Sequence, residues 1–375
     1  MQRVTSSVRD ALLPVAGRMQ HALQGAVDDI VLILQPDHLG DIVLSQPAVQ
    51  HLRDKYPDSR LIAVVGPWSR EITSMAWPVD EIVTVAFPGF TRDGSGSVIA
   101  PYRQLRAEAE RLCSLRPRAA YVLRPDAWWA AWLASMVSPV VVTADDRRTR
   151  QFATHAVSLV GVEHATSRSL HIAANESAIS VRLSSPLQFP TSTEHAAEAH
   201  GILRLHGVPE QYLVIHPGSG AAVKEWPVHR WRSVAETLSA HNTSIVLTGS
   251  ADEVATCSGI ASDLPKCVSL AGLTSVPILA EVMHGATLVL GPDCGPLHLA
   301  VATATPTVHL FGPSDPRKYG PWGDPERHRV VTANWSCPRC GDLSPARPAG
   351  CGCMLAIQPV DVIAAARSVL NRDAD

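Results

Sequence analysis

Three short segments carry residue types that can hold an anion or move a proton. The first reads Gln35-Pro36-Asp37-His38-Leu39-Gly40-Asp41 and precedes the apolar run Ile42-Val43-Leu44. A positioned carboxylate there can accept the proton of an attacking hydroxyl, worth on the order of 10²–10⁴ in rate. Asp41 is the candidate base, Asp37 a neighbouring alternative, and His38 a modulator of either. Gly40 can adopt backbone shapes that let a substrate come close. The competing reading is structural, because an Asp beginning a helix caps an orphan N–H for ~1 kcal/mol. From spacing alone the cap is the stronger reading. The helix end would favour the Asp41 anion, which suits a base more than an acid.

The second segment, His216-Pro217-Gly218-Ser219-Gly220 with Lys224-Glu225-Trp226-Pro227, follows an apolar strand. Backbone N–H groups of such a turn, Ser219 and the Lys224 ammonium can meet a diphosphate. The third is Gly291-Pro292-Asp293-Cys294-Gly295-Pro296-Leu297-His298. It predicts a tight turn and a small-residue helix starting near Cys294 or Gly295, whose unpaired N–H groups form an anion site. His298 lies one turn in, where a lone histidine is more often a satisfied structural residue, and Asp293 can equally be a cap. The turn-rich stretch Phe311-Gly312-Pro313-Ser314-Asp315-Pro316 to Gly323 can close over a base or sugar, or simply be a structural loop.

These segments need strands to present them. Apolar strand candidates in the first half are Ile30–Leu34, Leu61–Val65, Ile82–Val85, Ala120–Leu123 and Val140–Thr143. Helical stretches at Ile42–Lys55, Arg103–Leu115 and Ala127–Val137 alternate with them. The rhythm breaks over Ser167–Thr193, read as a connector. It restarts with a helix at Glu194–His206 and strands at Tyr212–Ile215, Ser244–Leu247, Cys267–Leu270, Thr287–Leu290 and Thr307–Leu310, and closes with a helix at Val360–Leu370. Near-continuous apolar strands alternating with helices predict parallel sheets covered on both faces, with ligands beyond the strands' carboxyl ends. The expected architecture is α/β, two doubly wound Rossmann-like domains facing a central cleft. Expected boundaries are a helical extension over 1–27, an N-terminal acceptor domain over 28–180, a C-terminal donor domain over 181–358, and a helix and tail over 359–375.

A chain of 375 residues with 46% hydrophobic and 18% charged residues suits two globular domains. A net charge of −3 supplies no bulk basic field for nucleic acid, so an anionic ligand needs local donors. No apolar run approaches the ~20 residues that span a bilayer, and the N-terminus lacks a secretory signal. Apolar residues from Val8 to Leu23 predict an amphipathic helix, packed on the first domain or, as the sharper alternative, touching a membrane surface. The expected location is cytoplasmic. Cys337, Cys340, Cys351 and Cys353 cluster near the C-terminus and read as reduced structural thiols ahead of a zinc site.

In order, Leu39-Gly40-Asp41 with Gln46-Pro47-Ala48, Pro217-Gly218-Ser219 with Lys224-Glu225-Trp226-Pro227, Asp293-Cys294-Gly295 with His298-Leu299-Ala300, and Phe311-Gly312-Pro313-Ser314-Asp315-Pro316 resemble glycosyltransferase family 9, the heptosyltransferases of lipopolysaccharide core assembly. The resemblance implies a GT-B fold and inverting, metal-independent transfer of a sugar, ADP-heptose being the usual donor. It implies Asp41 as the base, and Lys224 with the segment Asp293 to His298 as holders of the donor diphosphate and ribose. A glycan, glycolipid or small-molecule acceptor is implied, with no cofactor. Cys294 departs from the family's usual Thr or Ser, which removes a hydroxyl donor worth ~1 kcal/mol. The alternatives are a sugar-nucleotide epimerase of similar fold and a non-catalytic nucleotide-sugar binding protein.

Overall fold

The computed structural model describes residues 27–90, 99–175, 186–239, 243–333, 341, 343 and 348–372. The expected N-terminal amphipathic helix, Cys337, Cys340 and the tail from 373 lie outside them, as does the connector over 176–185. The chain forms two compact units that divide before Pro186.

The first unit holds β1 (Asp28–Gln35), β2 (Arg60–Val65), β3 (Glu81–Thr84), β4 (Pro117–Val122), β5 (Val141–Ala144) and β6 (His155–Val157). They pair in the order β3-β2-β1-β4-β5-β6, all parallel, with Ile33 opposite Ala63 on one side and Tyr121 on the other. β1, β2 and β4 are buried along almost their whole length, as central strands with helices on both faces must be. The helix Trp128–Val137 is apolar on nearly every side and sits in this core with Phe87, Leu105 and Phe152.

The second unit repeats the plan with β7 (Tyr212–Ile215), β8 (Ser244–Leu247), β9 (Cys267–Ser269), β10 (Leu288–Pro292), β11 (Thr307–Phe311) and β12 (His328–Thr332). The order is β12-β11-β10-β7-β8-β9, again all parallel. The C-terminal helix Pro359–Leu370 packs on the helix Val228–Ser239 and on β10 to β12, burying Val362, Ala366 and Val369 in this core. Cys351, Cys353 and Met354 belong to the same core. Both units are Rossmann-like α/β sheets.

Several local expectations differ from what forms. The helix expected over Ile42–Lys55 is two helices, Leu39–Leu44 and Gln46–Lys55, broken at Ser45. Pro47 has no N–H to continue the ladder, so the second helix must restart around it. Ala165–Ala174 is a helix inside what reads as connector. Its serines disguise the pattern, yet Ser169 is buried by donating to the Thr166 carbonyl. β6 and β12 were not expected, being short edge strands with mixed exposure and little apolar signal. Among the described residues, no helix is long and apolar enough to cross a membrane.

Gly291 in β10 is a point of close approach. A Cβ there would lie 2.5 Å from Leu297 Cδ2 and 2.6 Å from the His216 carbonyl oxygen. Gly291→Ala should therefore destabilise the second unit by about 1–3 kcal/mol in urea unfolding. Gly259→Ala, inside the helix Val254–Ala261 with 3.6 Å to its nearest neighbour, should be neutral or add about 0.5–1 kcal/mol.

Candidate functional site

In a doubly wound sheet the chain leaves one strand in both directions, and a crevice opens where it does. In the first unit that point lies between β1 and β4, and in the second between β7 and β10. A buried ion pair occupies each.

Asp37 follows β1 and is 3% exposed, and its carboxylate accepts from Nη1 of Arg124, which follows β4. Arg124 also reaches Asp126 through Nε at 2.7 Å and lies 5.1 Å over the Phe90 ring. Burial pushes the Asp37 carboxyl up to about 8, the Asp41 carboxylate adds to the rise, and the Arg124 guanidinium opposes it. The Asp37 carbonyl accepts from Trp68 Nε1 at 2.9 Å and Ser69 Oγ at 2.8 Å. Trp77 Nε1 donates to the Ile42 carbonyl at 2.9 Å, so two indoles fix the segment that carries Asp41. The exposed His38 lies against Trp68 with ring centroids 5.3 Å apart.

The cap reading of Asp41 is corrected. His38 is the N-cap residue, extended at φ −99°, and makes no side-chain cap bond. Asp41 stands third in the helix Leu39–Leu44, and its half-buried carboxylate lies in the first turn. Gly40 is also corrected. It is helical and buried and is not among the positive-φ glycines, so it supplies small size and no unusual backbone shape.

In the second unit, Lys224 Nζ donates to Asp293 Oδ2 at 3.2 Å, both side chains being largely buried. His298 Nε2 is 3.8 Å from Asp293 Oδ1, outside hydrogen-bond range but close enough to favour the anion. Burial opposes ionisation of Asp293, yet His298 and Lys224 outweigh it and hold the carboxyl well below its usual range. Cys294 is the N-cap of the helix Gly295–Ala302, and its side chain makes no cap bond. Burial pushes its thiol up to about 12, so it stays protonated at neutral pH. Pro296 at the second helical position has no N–H, which leaves the amides of Cys294, Gly295 and Leu297 at this end. Ser219 is half-buried, and its Oγ accepts from the Ala221 amide at 3.4 Å.

Each sheet thus gathers its own expected residues: Asp37, His38, Gly40 and Asp41 in one, and Lys224, Asp293, Cys294, Gly295 and His298 in the other. Three further groups were not foreseen. Arg124 and Asp126 follow β4, where the signal was a charged pair just beyond an apolar strand. Glu253 follows β8, and a Cβ on Gly218 would meet its carboxylate at 1.7 Å, so Gly218 is there to let the two come together. Glu253 also accepts from the Ser250 amide at 2.6 Å. An open pocket of about 480 Å³, solvent at its mouth included, lies beyond β1, β3 and β4. Pro36, Phe87, Phe90, Arg124, Trp128 and Arg148 line it. Among the described residues, no three His, Cys, Asp or Glu side chains are grouped to hold a metal ion.

Two Rossmann-like units in tandem are the fold class of the GT-B glycosyltransferases. The chain belongs to glycosyltransferase family 9 (heptosyltransferase), which matches residues 113–347, more than half its length. It is a glycosyltransferase. Lipopolysaccharide heptosyltransferase 1 of Pseudomonas aeruginosa is 27% identical over 322 residues, covering 83% of this chain and 85% of its own. The crystal structure of a family 9 glycosyl transferase from Veillonella parvula superposes with a TM-score of 0.73 at 21% identity, covering 92% of this chain and 97% of its own. The structure of Escherichia coli ADP-heptose lipopolysaccharide heptosyltransferase II gives a TM-score of 0.69 at 19% identity, over 92% and 99% of the two chains.

Asp293→Asn should cost the second unit about 3–5 kcal/mol at pH 7, because it leaves a buried ammonium without its anion. A depressed carboxyl stabilises above its unfolded value of about 4 and loses that contribution as pH falls further. The gap between wild type and Asp293→Asn, measured by denaturant unfolding, should therefore narrow below about pH 4.

Proposed function

We propose that this chain transfers a heptose from ADP-heptose to a hydroxyl of a lipopolysaccharide-core or related glycan, with inversion and without a divalent metal. The observation that carries the reading is the Lys224–Asp293 pair beside a helix N-terminus at the switch point of the second sheet. The Escherichia coli and Pseudomonas aeruginosa relatives are heptosyltransferases by name, one of them an ADP-heptose enzyme, which supports the same donor.

In this reading the donor diphosphate lies against the Lys224 ammonium and the amides of Cys294 and Gly295. These supply positive charge without raising the protein's net charge. His298 and Asp293 hold Lys224 in place, and Ser219 lies in the loop before it. The Glu253 carboxylate beside Gly218 suits a vicinal diol such as a ribose, which donates two hydrogen bonds to it. The Cys294 thiol adds only a weak donor.

The acceptor sits in the pocket of the first unit, its sugar faces against Phe90 and Trp128 and its polar groups on Arg124 and Arg148. Asp41 takes the proton of the attacking hydroxyl. The acceptor oxygen then bonds to the anomeric carbon from the face opposite the diphosphate, the carbon–phosphate oxygen bond breaks, and ADP leaves. Asp41 fits the base better than Asp37. Asp37 is buried and committed to its ion pair with Arg124, whereas Asp41 is half-buried. The Arg124 guanidinium compensates Asp37 and keeps the neighbourhood from accumulating two uncompensated anions.

The test is transfer with ADP-heptose and other nucleotide sugars, with and without EDTA. Asp41→Asn should lower kcat by about 10²–10⁴ with ADP affinity within about twofold of wild type. Lys224→Ala should raise donor KM instead. Loss of activity in EDTA, or full activity of Asp41→Asn, would count against the mechanism.

A further inference from the structure

The face of β11 away from the C-terminal helix carries two polar side chains, Thr307 and His309, that the donor reading does not use and that lie among the rings of His298 and His328. Thr307 and His309 are wholly buried, and His298 and His328 nearly so. Thr307 Oγ1 is 2.8 Å from His309 Nε2 and 2.9 Å from His328 Nδ1. The ring of His309 lies 5.9 Å from that of His298, centroid to centroid. His298 presents Nε2 to Asp293. Nδ1 of His298 and Nδ1 of His309 are both buried without a hydrogen-bond partner. On the other face of the same strand, Val308 and Leu310 pack in an ordinary apolar core. Three imidazoles and a hydroxyl in the remaining core cost desolvation that aliphatic side chains would not.

We propose that His309 is a positioning residue for the donor site: it fixes the tautomer and ring orientation of His298, and through it the Asp293–Lys224 pair. This rests on the reading of that pair as the diphosphate site. The Thr307 hydroxyl has one proton, so it donates to one imidazole and accepts from the other. The buried Asp293 anion selects the direction, since side-chain dipoles orient in the local field. His328 Nδ1–H donates to Thr307, the Thr307 hydroxyl donates to His309 Nε2, and His309 carries its proton on Nδ1. His298 carries its proton on Nε2, toward Asp293. Burial keeps His309 well below the usual histidine range and His328 down to about 4, so both act as neutral dipoles.

The experiment combines calorimetric ADP binding with nitrogen-15 NMR of the histidine tautomers in the full chain. The expected tautomers are Nε2–H at His298 and Nδ1–H at His309. His309→Phe, which keeps the ring volume, should weaken ADP binding by about tenfold, the size seen when a ligand's supporting partner is lost. Thr307→Val should weaken it by about three- to tenfold. His309→Gln, which can still accept and donate, should stay within about twofold of wild type. The opposite tautomer at His309, or wild-type ADP affinity in both His309→Phe and Thr307→Val, overturns the proposal. If His309→Phe does not fold, Thr307→Val and the tautomers decide. Lys224→Ala separates the two levels. If it weakens ADP binding while the β11 variants do not, only the role of His309 fails; if it leaves ADP binding unchanged, the donor site itself is misplaced and the proposal falls with it.

Discussion

Each sheet carries a carboxylate and a cation across the point where its strand order reverses, and the local chemistry of both units follows from the cost of separating them. Asp37 and Asp293 are almost inaccessible to water. An isolated charge at such depth costs several kcal/mol, and a pair is tolerated only where its geometry is held. The strands on either side do the holding, so a small displacement of β1 against β4, or of β7 against β10, would separate charges in a medium that screens them poorly. The signs are reversed between the units. In the first the earlier strand brings the carboxylate and the later one the cation, and in the second Lys224 comes first and Asp293 follows. The first unit therefore has carboxylates next to its pair, which the proposed proton transfer would use, and the second has an ammonium beside helix amides, which the proposed diphosphate would meet.

In the proposed donor site that division would let a protein of net charge −3 hold a diphosphate. Its positive end would come from one lysine and the amides of a helix start, neither of which projects a field far from the site. Cys294 fits this economy of charge, since its buried thiol remains neutral.

Much of the fold was legible because its central strands are continuous apolar runs with few alternatives. Ile30–Leu34, Leu61–Val65 and Tyr212–Ile215 needed no tertiary information. The edge strands β6 and β12 were not legible, since an edge is half exposed and its sequence need not be apolar. Asp41 was placed in the correct segment but at the wrong position of the helix. Cap and first-turn residues differ by three positions, and His38 satisfies the cap through backbone shape alone, which sequence does not display. Arg124, Asp126 and Glu253 were missed for another reason. Arg124 and Glu253 meet residues far away in the chain, 87 positions in the case of Arg124 and Asp37, and only strand order shows that their loops are neighbours, while Asp126 is tied to the site through Arg124.

The placement of the helix Pro359–Leu370 bears on how the polypeptide is made. All six strands of the first sheet have been synthesised by Val157, so that unit can collapse while the ribosome is still adding the second. The second core lacks Val362, Ala366 and Val369 until the helix Pro359–Leu370 emerges, and until then β10 to β12 present an uncovered apolar face. Translation thus leaves a window in which one half is finished and the other is sticky, the interval in which a chaperone would find the nascent chain.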